Sequence, residues 1–478
     1  MSTGQESILE KEMKEQKYEK DDDKLTKSIL EGPIVPISLK LAIPILIANV
    51  LTLAYNIVDT LFVSAIDKHS TALISGLGLI FPIFVFITAI SSGLFIGISA
   101  LVARGIGEKN NKLLDKTADS GLMLGLLISL LTVLSGYLFS DNIVQKLAGT
   151  ELSIEAMDYG LTYLYFLLPG LGFILVTQVL SGILQGEGLA KYVAFSMLIS
   201  TILNIILDPI LIFGFDMGLA GASLATTISI IVSCLYVMSV FKRKSNIKLK
   251  WGIVHVDRKV IGEILKIAIP VLLVTATSGV GLVFLNHIVS SISESAMNSW
   301  SLVGRSDEIF RMAGFAFATS TITLAGQNFG RNNMERVKQI YKTNVGLGLI
   351  CCLFLALIYN LVAYPLFSLF SSVPEVVDNS VTQVRMLSLT FLGAMVSLIS
   401  ISIFQSTGKP LLGALLNFVI VILLTVPLAY VMVYQYDLGL YGVFISIAIV
   451  NGLFLFISYL LTQLYLKKLK FKNITNLD

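Results

Sequence analysis

The chain has 478 residues, of which 55% are hydrophobic and only 14% are charged. Soluble proteins carry roughly a quarter charged residues, so this composition cannot cover a water-facing surface and indicates an integral membrane protein. The formal net charge of +3 is too small to indicate a nucleic-acid partner.

The chain begins with a charged segment that we predict to be a cytoplasmic tail over residues 1–34. It mixes lysines with acids, including Asp21–Asp23, and lacks the apolar core of a signal peptide. Such a composition does not bury enough apolar surface to fold alone, so we expect this tail to be disordered or weakly helical. A second, basic cytoplasmic tail is predicted over residues 467–478.

Twelve apolar runs between these tails are long enough to cross the hydrocarbon core of a bilayer. Glycines and charged residues separate them, and the alternating pattern of a membrane β-barrel is absent. The sequence therefore predicts an all-α integral membrane protein with twelve transmembrane helices. The predicted spans lie near residues 37–65, 73–101, 117–139, 159–184, 191–214, 218–241, 260–292, 297–326, 341–364, 380–404, 410–434 and 439–466.

Lysine and arginine collect in every second connection between the spans. Arg104–Lys116 follows the second span and Lys242–Lys266 follows the sixth, whereas the opposite connections carry mostly acids. Because cytoplasmic loops are enriched in basic residues, we expect both termini in the cytoplasm and a multi-pass protein of the cell (inner) membrane.

Short motifs repeat between the two halves of the chain at offsets of about 220–226 residues. Each half contains six spans, so both halves start on the same side of the membrane and form parallel repeats. We therefore predict an N-lobe over 35–241, a cytoplasmic linker over 242–259 and a C-lobe over 260–466, with a substrate cleft between the lobes. The matching motifs are Ala42–Pro44 with Ala268–Pro270, Gly107–Asn110 with Gly330–Asn333, Gln185–Gly188 with Gln405–Gly408, and Gly218–Gly221 with Gly439–Gly442.

Ionisable residues inside membrane helices cost about 2.5–3.5 kcal/mol on insertion scales, which makes each a functional candidate. At 1.5 Å per residue, Asp59 and Asp208 lie about 10 and 9 Å inside the outer ends of the first and fifth helices, and Thr226 lies at about 12 Å. Asn204 shares a helix face with Asp208, as Tyr55 does with Asp59. Two carboxylates in such a pocket favour a bound proton or a cation such as Na⁺. The alternative is that Asp208 caps a helix break before Pro209 while Asp59 reaches toward the outer interface.

A second polar cluster lies in the eighth span. The spacing favours structural ion pairs between Arg305 and Glu308 and between Asp307 and Arg311, with a substrate contact in the cleft as the alternative. Phosphate-binding, zinc-protease and serine-hydrolase motifs are all missing. We therefore expect no enzyme activity, no cofactor and no structural metal site.

Three elements, Asp59-Thr60, Asn204-x3-Asp208-Pro209 and Gly218-Leu-Ala-Gly-Ala-Ser-Leu-Ala-Thr226, together resemble the MATE (multidrug and toxic compound extrusion) family of the MOP superfamily, in its DinF-like branch. The resemblance extends over about residues 35–466. It implies an antiporter that exports organic, often cationic drugs or metabolites in exchange for H⁺ or Na⁺.

The resemblance also implies roles for individual residues. It places the coupling ion in the N-lobe only, because residues 267–292 of span seven and 380–404 of span ten contain no acid, and Leu285 occupies the repeat position of Asp59. Gln178 and Ser181 occupy positions that are commonly Asn in the family, which leaves H⁺ and Na⁺ both open. The expected ion-site residues are Tyr55, Asp59, Asn204, Asp208 and Thr226, with Gln178, Ser181 and Met197 as neighbours and Pro44 as the bending point of helix one.

The expected mechanism is alternating access by rocking of the two lobes, with cation entry at Asp59 and Asp208. The expected partners are a small organic substrate and membrane lipid, and we expect a monomer. The competing interpretation is a flippase for lipid-linked oligosaccharides, which the same superfamily includes.

Overall fold

The computed structural model describes residues 24–66, 71–148, 153–249 and 256–469. These ranges contain no strand, and they contain twelve helices long and apolar enough to cross a membrane, which confirms the predicted fold class. The remaining tail residues, 1–23 and 470–478, lie outside the described ranges. The helices are α1 Ile34–Ile66, α2 Thr71–Gly107, α3 Asn111–Ala148, α4 Ile154–Glu187, α5 Ala190–Gly214, α6 Gly218–Lys244, α7 Arg258–Ser290, α8 Glu294–Gly330, α9 Met334–Phe370, α10 Pro374–Ser406, α11 Pro410–Tyr434 and α12 Gly439–Lys468.

Several of these helices depart locally from α geometry. Helix α5 changes to a π-helix over Ile210–Gly214, directly after Pro209, and α11 contains a π-helical stretch over Val419–Thr425. Helix α8 is interrupted at Asp307. Helix α1 continues through Pro44, although proline removes one backbone donor from its turn. Such irregularities are frequent at functional sites in helices.

The backbone repeats between the lobes as the sequence motifs do. Among the described residues, three turns in the N-lobe contain four residues with positive φ, and the three equivalent turns in the C-lobe do the same. Because this conformation disfavours side chains with a Cβ atom, equivalent positions indicate a duplicated structure and not chance. The pairs are Lys109 and Asn332, Gly188 and Gly408, Asp216 and Asp437, and Gly218 and Gly439.

One helix occupies the centre of each lobe. Helix α4 packs against α2, α3 and α6, and its repeat counterpart α10 packs against α8, α9, α11 and α12. Small residues permit this close packing: a Cβ atom added to Gly182 of α4 would lie 2.7 Å from the carbonyl oxygen of Phe95. The outer helices therefore hold fixed positions around a rigid centre.

The lobes are joined at the end of the bundle where α1 begins and α12 ends, which we call the terminal end. Gln185 Nε2 donates to Thr323 Oγ1 at 3.2 Å, and Gln327 Nε2 donates to the carbonyl oxygen of Gly186 at 2.9 Å. Nearer the middle of the bundle, Asn49 Nδ2 donates to the carbonyl oxygen of Met312 at 3.4 Å. The structure is therefore closed at the terminal end.

A short helix over 24–31 packs beneath both lobes, so this part of the tail, which we expected to be disordered or weakly helical, is an ordered helix. Leu25 and Ile29 lie one helical turn apart, and Ile29 is fully buried. Asn328 Nδ2 and Arg336 Nη2 donate to the carbonyl oxygen of Ile29 at 3.2 and 3.1 Å. Two contacts therefore order this segment: its apolar side chains are buried, and the carbonyl group at the C-terminal end of the helix accepts hydrogen bonds from the C-lobe.

The connection between the lobes is shorter than predicted, because α6 continues to Lys244 and α7 begins at Arg258. The Asp257 side chain caps α7 by accepting from the Lys259 amide at 2.8 Å. The Lys116 ammonium lies 2.5 Å from this carboxylate and holds its pKa below the usual range. The cap therefore stays ionised at neutral pH, and its contribution to stability is lost only as the pH falls through this lowered value.

Candidate functional site

Two matching ladders of polar side chains face each other on α1 and α5. Helix α5 packs against α1, and the hydroxyl groups of Thr52 and Thr201 lie 3.1 Å apart at the lower end of the ladders. Both ladders have the spacing i, i+3, i+7, which places their members on one face of each helix. The ladders are Thr52, Tyr55 and Asp59 on α1, and Thr201, Asn204 and Asp208 on α5.

The two predicted carboxyl groups meet at the upper end of these ladders. Asp59 and Asp208 interact through their side chains, and Tyr55 contacts Asp59 from one turn earlier. Asp208 is fully buried, and its Oδ1 accepts a 2.8 Å hydrogen bond from Asn204 Nδ2. Its Oδ2 is buried and accepts no hydrogen bond from any group in the described ranges. A buried carboxylate with a free oxygen beside a second carboxylate favours a proton or a cation at this point.

The alternative roles considered for these acids do not fit this geometry. Helix α5 stays α-helical through Pro209, so Asp208 does not cap a helix break. Asp59 is half-buried and turns toward Asp208. The predicted convergence of α1 and α5 at one depth is thus what the structure contains.

Hydroxyl groups from α6 and α4 complete the pocket. Thr226 donates to the carbonyl oxygen of Ala222 at 3.2 Å, and the hydroxyl groups of Tyr55 and Tyr163 both contact its side chain. The sequence reasoning missed Tyr163, because a tyrosine in an apolar span is usually a packing residue. A signal was present: Tyr163 lies nine residues after Ile154, about 13 Å into α4 and at the depth of the two acids.

The equivalent place in the C-lobe is apolar. Leu285 occupies the repeat position of Asp59, and Ile447 occupies that of Thr226. Both belong to one hydrophobic cluster with Val289, Ala429 and Phe444. The repeated backbone thus places acidic side chains at these positions in the N-lobe and apolar side chains at the equivalent positions in the C-lobe. The polar pocket is therefore a specific feature of the N-lobe.

The other expected neighbours lie deeper in the bundle. Gln178 and Ser181 follow Tyr163 on α4 by about 22 and 27 Å toward the terminal end. Met197 precedes Asp208 on α5 by about 16 Å and packs against the apolar core that both lobes share. These three residues therefore do not join the carboxylate pocket. Pro44 also lies outside it, because it precedes Asp59 by 15 positions on α1.

The polar cluster of α8 differs in part from its prediction. Arg311 forms an ion pair with Glu308 and lies near Asp307, whereas the predicted pair of Arg305 with Glu308 is absent from the described contacts. The reason is the interruption of α8 at Asp307, which changes the helical register between Arg305 and Glu308. Asp307 instead contacts Tyr359 of α9.

We expect Arg311→Gln to leave transport within about twofold of wild type. The Arg311 side chain is 66% exposed, and exposed ion pairs of this kind contribute about 0–1 kcal/mol. The measurement is dye efflux together with the midpoint of thermal unfolding. A loss of transport above tenfold with unchanged unfolding would instead make Arg311 a substrate contact.

Comparisons with known proteins show which proteins this chain is similar to. The MatE family model matches residues 44–210 and 270–431. The multidrug export protein MepA of Staphylococcus aureus (strain bovine RF122 / ET3-1) is 24% identical over 428 residues, covering 88% of this chain and 92% of that protein. The probable multidrug resistance protein NorM of Thermotoga maritima is 26% identical over 416 residues, covering 85% and 88%.

The fold is also similar to a solved structure described as the outward-facing conformation of a multidrug resistance MATE family transporter of the MOP superfamily. The TM-score is 0.86 at 24% identity, and the match covers 92% of this chain and 97% of that one.

Proposed function

The chain belongs to the MatE family of membrane transporters, and on this premise we propose that it exports organic drugs or metabolites, often cationic, in exchange for H⁺ or Na⁺. It is a multi-pass membrane protein and not an enzyme. The observation that carries the proposal is the buried pair of Asp59 and Asp208 in the N-lobe. The names of the similar bacterial proteins, which refer to multidrug export and resistance, support the substrate class.

The chemistry of the pocket supports a small, hard coupling cation. Carboxylate, amide and hydroxyl oxygens are the ligands that such cations prefer. A pair of carboxylates with no basic residue beside it favours binding of one proton or one monovalent cation. Substrate is placed in the cleft between the two repeated lobes, where transporters of this design bind it. Coupling ion and substrate thus occupy different places.

Export requires that the ion changes the balance between two conformations. A ligand shifts such a balance only through different affinities for the two states. Asp208 is suited to this role, since it lies one residue before Pro209 and the π-helical turn Ile210–Gly214, where α5 departs from regular hydrogen bonding. Neutralisation of the carboxyl pair allows α1 and α5 to pack differently and thereby alters the cleft.

The arrangement in the membrane follows from the same proposal. The terminal end carries the basic connections and is placed in the cytoplasm, within the cell membrane. The structure, closed at that end, then corresponds to the state that receives the coupling cation from outside. We propose that a single chain carries out the complete cycle.

The test is export by the purified protein in vesicles under Na⁺ and pH gradients imposed separately. We expect efflux of a fluorescent organic cation to rise with one inward cation gradient and to stop when that gradient is removed. Efflux indifferent to both gradients contradicts antiport. Turnover stimulated by a lipid-linked oligosaccharide and not by an ion gradient would favour the flippase.

A further inference from the structure

We propose that a lysine-lined cavity at the terminal end of the N-lobe binds a phosphate-bearing anion. The cavity has a volume of about 460 Å³ and lies between the helix over 24–31, the first turns of α1, the α4–α5 turn and the end of α6. None of the described residues that line it is acidic. Four lysines do: Lys24, Lys40, Lys191 and Lys244.

Three of these lysines come from separate elements and have no ion-pair partner in the described part of the chain. Lys24 belongs to the short helix, Lys40 to α1 and Lys191 to α5; only the last has a recorded partner, the ring of Tyr192 at 4.8 Å. For comparison, Lys338 of α9 forms an ion pair with Glu335 at 2.6 Å. A cluster of lysine ammonium groups with no acidic side chain among the described lining residues favours binding of an anion that has several oxygen atoms.

A helix terminus adds to this positive potential. Helix α5 begins at Ala190, its cap residue Leu189 gives no side-chain hydrogen bond, and both Gly188 and Leu189 line the cavity. The first amide groups of a helix lack partners within it, and together with the helix dipole they favour phosphate. Ser28 also lines the cavity, but its hydroxyl group donates to the carbonyl oxygen of Lys24 at 2.8 Å.

A bound anion would fasten the short helix to the N-lobe. The other end of that helix is already held by the C-lobe, because Arg336 Nη2 donates to the carbonyl oxygens of Ile29 and Gly32 at 3.1 and 2.5 Å. The segment then bridges both lobes, so the anion stabilises the state closed at the terminal end. The phosphate belongs either to the headgroup of an anionic lipid or to a soluble compound, and the membrane-surface position of the cavity favours the headgroup.

The experiment measures binding by the full-length protein in nanodiscs. One set of nanodiscs contains phosphatidylcholine with phosphatidylglycerol, and a second contains phosphatidylcholine alone with added pyrophosphate. Retention of phosphatidylglycerol by native mass spectrometry and the shift in unfolding temperature are the readouts. We expect the combined variant Lys24→Gln, Lys40→Gln and Lys191→Gln to weaken binding about tenfold or more, since each basic residue contributes several-fold at an anionic surface.

The matched control removes three exposed lysines from the same end, with Lys112→Gln, Lys342→Gln and Lys409→Gln. It carries the same change in net charge, and we expect binding within about twofold of wild type. Arginine at the three cavity positions should restore binding. Equal losses in the two glutamine variants, or no binding of either probe by wild type, overturn the proposal. Binding of phosphatidylglycerol alone assigns a lipid headgroup, and binding of pyrophosphate assigns a soluble anion.

Discussion

Asp208→Asn is expected to reduce ion-driven export about tenfold or more while the protein still folds and inserts. The side chain is fully buried and interacts with Asp59, and its Oδ2 has no hydrogen-bond partner within the described residues. Asparagine has nearly the same volume but accepts no proton and attracts a cation far less. The variant therefore loses the difference in ion affinity between two conformations, which is the source of coupling. The measurement is gradient-driven efflux from vesicles, and Asp59→Asn is expected to behave in the same way.

Asp216→Asn provides the matched control. Asp216 lies in the same lobe, eight residues after Asp208, but its side chain is exposed. Its positive φ of 54° is one that asparagine adopts readily, so the substitution removes the same charge without strain. We expect export close to wild type. Equal losses in Asp208→Asn and Asp216→Asn would show that net charge, and not the pocket, determines the rate.

Gly107→Ala and Gly330→Ala are expected to oppose closure of the terminal end. These repeat-related glycines end α2 and α8, which cross between the lobes. A Cβ atom at Gly107 would lie 2.0 Å from the carbonyl oxygen of Gln327, and one at Gly330 would lie 2.2 Å from that of Arg104. Overpacking of this kind costs about 1–3 kcal/mol or more, which shifts a two-state balance about 5- to 150-fold.

The cost falls only on the state in which the two helices touch. We therefore expect both variants to fold, to lose export and to populate a conformation with the terminal end apart. Spin labels introduced by Lys112→Cys and Lys342→Cys, in a background without native cysteines, report this separation. Gly346→Ala is the control, because nothing lies within 4 Å of an added Cβ there. Unchanged label distances and full export in both crossing variants would contradict the role of this contact.

The membrane fold could be predicted from the sequence because a bilayer imposes simple rules. Each span needs a minimum apolar length, so runs such as 117–139 are visible without tertiary information. The duplication was visible because turns such as Gly188 and Gly408 need the same unusual backbone in both lobes. Asp59 and Asp208 stood out because acids are costly in this environment.

The remaining features depend on tertiary contacts that local sequence does not encode. The depth of Tyr163 along α4 could be read from the sequence, but its contact with Thr226 depends on the packing of α4 beside α6. The helix over 24–31 is ordered by carbonyl capture from Arg336, about 300 positions later in the chain. The expected pair of Arg305 with Glu308 is absent from the described contacts because the spacing rule assumes an unbroken helix, which Asp307 interrupts. Arg311 does lie near Asp307, as the spacing predicted.

The most direct test of the acidic pocket is cation release when a substrate binds. Purified protein is titrated with an organic cation in weakly buffered solution, and released H⁺ is followed with a pH-sensitive dye while displaced Na⁺ is followed with a selective electrode. If the acidic pocket couples cation and substrate, wild type releases one of these cations and Asp208→Asn binds substrate without releasing either. Equal release by wild type and Asp208→Asn would contradict coupling at this pocket.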